Sequence, residues 1–130
     1  MSKERPIIFI IDDDTSVRRA LGRVMTSAGL ESRSFDSVED FLAKSDLHSK
    51  GCIVADMTMI GMSGLDLKRL LNTAHSMLPV ILLTAHESEE MRAAAHEAGA
   101  ASFFRKPVDT QALLDAVQWA LNERHPKVST

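Results

Sequence analysis

Short apolar runs alternate along this chain with stretches in which apolar residues return every three or four positions. The runs at 6–11, 52–55, 79–83 and 101–105 are wholly or mostly apolar, the pattern of buried parallel strands. The run at 30–35 is more polar and predicts a strand at a sheet edge. Helical spacing follows each run. Val17, Ala20, Leu21, Val24, Met25 and Ala28 form the first helical face, stopped by Gly29. Ser37 and Asp40 form a capping-box pattern ahead of a short helix with Phe41 and Leu42 inward. After a loop at 57–64 come Leu67, Leu70, Leu71 and Ala74. Glu87, Glu89 and Glu90 stand where a helix N-terminus favours acids, before a face of Met91, Ala94, Ala95 and Ala98 that ends at Gly99. Asp109 or Thr110 caps the last helix, whose inner face is Leu113, Leu114, Val117 and Leu121.

Five strand–helix units with right-handed crossovers require helices on both faces of one parallel sheet. The expected fold class is α/β: a flavodoxin-like, doubly wound five-stranded parallel sheet in the order 2-1-3-4-5, with its switch point between strands 1 and 3. One domain is expected over 1–123. Residues 124–130 are expected to be a tail or the start of a linker to a missing output domain.

Composition narrows the field. The chain has 130 residues, enough for one core, with 45% hydrophobic and 25% charged residues, an ordinary globular balance. The net charge of −3, with the 15 basic residues scattered, argues against this domain gripping nucleic acid itself. No run is long enough to span a membrane, and residues 1–6 lead into a strand without an apolar leader core. The single Cys52 excludes an internal disulfide and reads as a buried small hydrophobe. The expected location is the cytoplasm, with no membrane association.

Chemistry collects where the strands end. Asp12, Asp13 and Asp14 follow the first strand, Asp56 the third, Thr84 the fourth and Lys106 the fifth, and ligands of open parallel sheets bind outside those ends. Strands 1 and 3 are neighbours in this order, so Asp12, Asp13 and Asp56 meet at the crevice. Clustered carboxylates without His or Cys favour a hard divalent cation, and room for water suits Mg2+, with Mn2+ expected to substitute. A carboxylate can itself accept a phosphoryl group if cationic groups neutralise the developing charge. Lys106 supplies one such group, and the Thr84 hydroxyl can donate to another oxygen. No Gly-rich phosphate loop is present, so ATP is not the expected direct substrate.

In these residues the chain resembles the receiver domain of bacterial two-component response regulators, most like the FixJ-type group. The likeness covers 6–121 and rests on Ile8-Phe9-Ile10-Ile11-Asp12-Asp13-Asp14, on Asp56-Met57-Thr58-Met59-Ile60-Gly61-Met62-Ser63-Gly64-Leu65, on Leu83-Thr84-Ala85 and on Phe103-Phe104-Arg105-Lys106-Pro107. The resemblance implies that Asp56 is the phosphoacceptor. Asp13 would be a direct Mg2+ ligand and Asp12 would act mainly through water. Asp56 and the backbone carbonyl of Thr58 would complete the protein ligands. Lys106 would pair with the phosphoryl group, Thr84 would hydrogen-bond it, and small Ala85 would leave it accessible. Phe103 would be the switch aromatic and the Lys106–Pro107 bond would be cis. The donor would be a phosphohistidine on a sensor histidine kinase. A helix-turn-helix domain after a linker would carry any DNA binding, although no residue of this chain shows one. The chain departs from the family pattern at Ile60, where proline is usual.

Thr84 leads into the fourth helix, whose inner face is mostly alanine, so that helix is expected to be loosely held. Phosphorylation is expected to alter the surface made by the fourth helix, fifth strand and fifth helix, which would then bind a partner or a second copy.

Simpler readings stand beside these. Asp14 reads as a helix cap, Asp66 as helix surface, Asp109 as a cap and Arg105 as solvated. The five histidines have no metal spacing and read as surface, and the methionines mostly as core. A different class also fits in part. Asp12-x-Asp14 matches the opening of haloacid-dehalogenase-like phosphatases, with Asp12 as nucleophile and Asp14 as general acid. That reading leaves Asp56 idle and lacks a second acidic pair. A flavin-nucleotide binder is less favoured still, because three Asp would repel the cofactor phosphate.

Overall fold

The computed structural model describes residues 5–122; the tail expected at 124–130 lies outside them. The elements run β1 (Ile7–Ile11), α1 (Thr15–Ser27), β2 (Glu31–Phe35), α2 (Val38–Lys44), β3 (Gly51–Asp56), α3 (Gly64–Thr73), β4 (Val80–Thr84), α4 (Glu89–Ala98), β5 (Ser102–Arg105) and α5 (Thr110–Asn122). The strands form one parallel sheet in the order β2-β1-β3-β4-β5. This is the expected topology, with polar β2 at the edge.

Alternation along each strand divides the core. Phe9, Ile11, Ile53 and Leu82 face α2, α3 and α4, and meet Val38, Phe41, Leu67, Leu71 and Ala95. Ile8, Ile10, Val54, Ile81 and Leu83 face α1 and α5, and meet Leu21, Met25, Leu113 and Val117. Every residue of β3 and β4 is buried, as expected for central strands covered on both sides. Phe9, Phe35 and Phe41 form a ring cluster under α2, with centroids 5.3 to 6.4 Å apart. No helix of the described residues is long and apolar enough to cross a membrane.

Several local expectations need correction. At α2 the capping box is half formed: Ser37 accepts from the Asp40 N–H at 3.0 Å, but the Asp40 carboxylate turns to Lys44, 2.9 Å away. The complete box is at α3, where Ser63 is the cap and Asp66, exposed on the helix surface as expected, closes the box. Ala20 is exposed, because a thirteen-residue helix on one face of a sheet needs only a narrow apolar stripe. Among the described methionines, Met25 and Met57 are buried. Met77, in the loop before β4, is 80% exposed. Asp109 does cap α5, accepting from the Gln111 and Ala112 N–H groups. His48, His75, His86 and His96 are all exposed.

Gly64 explains how α3 reaches the end of β3. A Cβ there would lie 2.7 Å from the Asp56 carbonyl oxygen and 2.8 Å from Leu82 Cδ2. Only glycine lets the helix start this close beneath Asp56. Gly64→Ala is therefore expected to cost about 1–3 kcal/mol of stability through overpacking, seen as a lower urea midpoint at unchanged slope. A wild-type midpoint would show that the backbone relaxes freely there.

Candidate phosphoryl and metal site

β1 and β3 end side by side, with Ile11 opposite Ala55 in the register, so Asp12 and Asp56 emerge as neighbours. Carboxylate oxygens of Asp12, Asp13 and Asp56 lie within 4.8 Å of one another. Asp12 is 1% exposed and Asp56 7%, whereas Asp13 is open to solvent. Lys106, at the end of β5, reaches across. Its Nζ donates to Asp12 Oδ2 at 2.9 Å and to Asp56 Oδ2 at 3.1 Å. The other oxygens are also engaged: Asp12 Oδ1 accepts from the Asp14 N–H at 2.9 Å, and Asp56 Oδ1 accepts from the Thr58 N–H at 3.0 Å. Both carboxylates are thus fixed in orientation. The Lys106–Pro107 peptide is cis, as expected.

Thr84, 1% exposed, sits at the end of β4 between these groups. Its hydroxyl donates to the His86 carbonyl at 2.9 Å and accepts from the His86 N–H at 3.2 Å. The hydroxyl is spent locally on the start of the loop to α4. Phe103 lies half-buried on β5 opposite Leu82, with the Arg92 guanidinium carbon 5.6 Å from its ring centroid. Arg92 also pairs with Glu87.

Sequence reasoning missed Arg18. From the first turns of α1 its Nη1 donates to the Asp12 carbonyl at 2.7 Å, clamping the backbone that aims the Asp12 carboxylate. No spacing rule singles out an arginine six positions after an aspartate. Asp14 is exposed and caps α1, its Oδ1 accepting from the Ser16 and Val17 N–H groups. That leaves the phosphatase reading without its general acid, while Asp56, idle in that reading, is central. Cys52 is buried, and burial pushes its thiol up to about 12, consistent with packing alone.

The electrostatics follow from one ammonium bonded to two of three clustered carboxylates. Burial raises the Asp12 pKa, and hydrogen bonds from Lys106 and the Asp14 N–H offset only part of this. Burial likewise disfavours the Lys106 ammonium, but its hydrogen bonds to Asp12 and Asp56 outweigh it and the pKa is raised. The two shifts do not mirror each other, because the lysine gains two carboxylate partners while Asp12 is buried almost completely and burial is its largest influence. The three carboxylates outnumber the one ammonium placed between them. Such an oxygen-only set, partly open through Asp13, fits a hard divalent cation that keeps some of its waters.

The class this defines is a doubly wound α/β domain with an acidic, lysine-bridged pocket at its switch point. The chain belongs to the response regulator receiver domain family, whose sequence model matches residues 8–118. It is 40% identical over 114 residues to the transcriptional regulatory protein TdiR of Thauera aromatica, covering 88% of this chain and 50% of that protein. It is 37% identical over 121 residues to the response regulator protein TodT of Pseudomonas putida, covering 93% and 53%. Among solved structures it is similar to FixJ-N, with a TM-score of 0.85 at 30% identity over 95% of this chain and 99% of that one. It is also similar to the response regulator StyR, with a TM-score of 0.85 at 40% identity over 92% and 60%. The chain spans about half the length of TdiR and TodT. It is the receiver domain of a two-component response regulator, a signalling module, as the resemblance to the FixJ-type group implied.

An acid whose folded pKa is raised costs stability as it ionises. The loss begins near the ordinary value of 3.8 and is complete once the pH passes the raised folded value. Without divalent cations, stability from this group is therefore expected to fall as pH rises through the weakly acidic range. Asp12→Asn has nothing to ionise there and should melt at a higher temperature than wild type at neutral pH. Thermal melts in chelator at several pH values check this. A variant less stable than wild type at pH 7 would show that the Lys106 contact outweighs the burial cost.

Proposed function

We propose that this domain accepts a phosphoryl group on Asp56 from a phosphohistidine of a sensor histidine kinase, and that the new anion resets the surface around α4, β5 and α5. The observation that carries the reading is Lys106 Nζ touching both Asp12 and Asp56, a cation already placed where new negative charge would arrive. Asp56 is the nucleophile: a carboxylate oxygen forms the O–P bond as the P–N bond of the donor breaks, and the imidazole leaves with its electron pair. Lys106 pairs with the phosphoryl oxygens and the Thr84 hydroxyl donates a hydrogen bond to one of them. Asp13, Asp56 and the backbone carbonyl of Thr58, with Asp12 mainly through water, would hold Mg2+, or Mn2+ in its place, and the ion would supply further charge neutralisation. Apart from this self-phosphorylation and its hydrolysis, the domain is not an enzyme.

To reach the phosphoryl group the Thr84 hydroxyl must leave the His86 carbonyl, which loosens the start of the loop to α4. Only Ala95 of α4 is fully buried, so that helix is held by little apolar area. A groove of about 710 Å³ between α4 and β5, lined among others by Glu89, Arg92, Ala95, His96, Ala101 and Phe103, gives Phe103 room to change rotamer. The reset face would then form a homodimer or release a C-terminal output domain. TdiR, about twice as long as this chain, is named a transcriptional regulatory protein, which supports DNA control through a domain beyond this chain. A cytoplasmic location follows from that partnership.

Acetyl phosphate with Mg2+ is expected to add one acid-labile phosphoryl group, about 80 Da by intact mass, lost in Asp56→Asn. Undiminished labelling of Asp56→Asn would place the acceptor elsewhere.

A further inference from the structure

The loop between β3 and α3 carries Thr58 and borders the acceptor, yet its backbone is lightly tied. At one end the Met57 N–H donates to the Leu83 carbonyl at 2.6 Å. At the other the Ser63 N–H donates to Asp66 Oδ2 at 3.1 Å within the capping box. Met59 and Met62 pack their side chains against the core, but Ile60 is 92% exposed and fixes nothing by packing. With isoleucine at 60, no pyrrolidine ring restrains φ there.

One long-range tie crosses to this loop. Glu39, in the first turn of α2, accepts the Met62 N–H on Oε2 at 3.1 Å. The adjacent Gly61 has φ 86, and a Cβ there would stand 2.9 Å from the same Glu39 oxygen. Gly61 thus serves two needs at once: it permits the left-handed bend and it leaves the space that Glu39 occupies. A carboxylate receiving a backbone amide is a charge-assisted bond, stronger than a neutral one. It joins α2, which is anchored by buried Val38 and Phe41, to the backbone of the segment between Thr58 and Ser63.

We propose that Glu39 is a positioning residue for phosphoryl transfer at Asp56: it holds the β3–α3 loop, and with it the Thr58 backbone, where the acceptor needs it, a restraint that proline would supply at position 60. The inference rests on Asp56 being the phosphoacceptor. Glu39 itself touches no reacting atom.

The test uses the 130-residue chain as wild type, Glu39→Ala, Glu39→Gln and the double variant Glu39→Ala/Ile60→Pro. Two quantities are read: Met62 amide exchange by NMR in the metal-free protein, and the rate of labelling by acetyl phosphate at sub-saturating Mg2+. In Glu39→Ala the Met62 amide should exchange faster and labelling should slow by about three- to ten-fold, the scale of one net hydrogen bond. Glu39→Gln keeps an acceptor oxygen and should stay within about twofold of wild type. Ile60→Pro should recover most of the rate lost in Glu39→Ala, since Ile60 is not among the residues with positive φ and its side chain is exposed. Thermal melts of each variant separate loop positioning from global destabilisation. Wild-type exchange and labelling in Glu39→Ala would overturn the proposal, as would a Glu39→Gln rate as low as that of Glu39→Ala. A wild-type chain that takes no phosphoryl group would instead overturn the acceptor reading, and this inference with it.

Discussion

One ammonium group holds the switch point together. Lys106 Nζ bridges Asp12 and Asp56, residues 94 and 50 positions away from it in the chain. The sheet order makes this possible. β1 and β3 are neighbours, so their carboxylates would repel if left alone. β4 separates β3 from β5, so the lysine must extend past the end of β4, where Thr84 sits. A single cation against three carboxylates leaves the pocket short of positive charge. The pocket therefore fits a divalent cation, and in the proposed reaction the lysine exchanges a carboxylate for the phosphoryl anion.

Around that bridge the structure fixes some parts and leaves others loose. Asp12 is clamped by the Arg18 guanidinium on its carbonyl and the Asp14 N–H on its carboxylate. Asp56 is set by the Thr58 N–H and by the close approach of Gly64. On the far side, the Thr84 hydroxyl is bonded only to its own loop, and α4 buries little. Arg92 spans Glu87 in that loop and the Phe103 ring. A change at Thr84 thus has a short physical route to the groove beside β5. Rigid groups face the chemistry and weakly held groups face the surface, the division expected of a domain with two conformations a few kcal/mol apart.

Much of this was legible in the chain itself. Long apolar runs mark β1, β3 and β4 because both sheet faces are covered, and Gly29 and Gly99 fall just beyond α1 and α4, as helix stops should. Asp12, Asp13, Asp56, Thr84 and Lys106 could be brought to one crevice from strand order alone, because side chains just beyond parallel strands point to the same edge. What stayed hidden depends on contacts between distant segments. Neither Arg18 on the Asp12 carbonyl nor Glu39 on the Met62 amide has a local signature, since each bond is set by how a helix docks on the sheet. The misplaced capping box has the same origin: Ser37–Asp40 and Ser63–Asp66 are alike in sequence, and only the nearby Lys44 draws Asp40 away.

The central claim is that Lys106 passes from Asp12 and Asp56 to the anion formed on Asp56. The most direct measurement is the ¹H–¹⁵N resonance of the Lys106 ammonium, assigned by comparison with Lys106→Arg, before and after Mg2+ and beryllofluoride are added as a phosphoryl mimic. The expected result is a hydrogen-bonded, slowly exchanging ammonium in both states whose chemical shift moves as its partner changes. A Lys106 resonance that stays in place while the mimic is bound at Asp56 would contradict it.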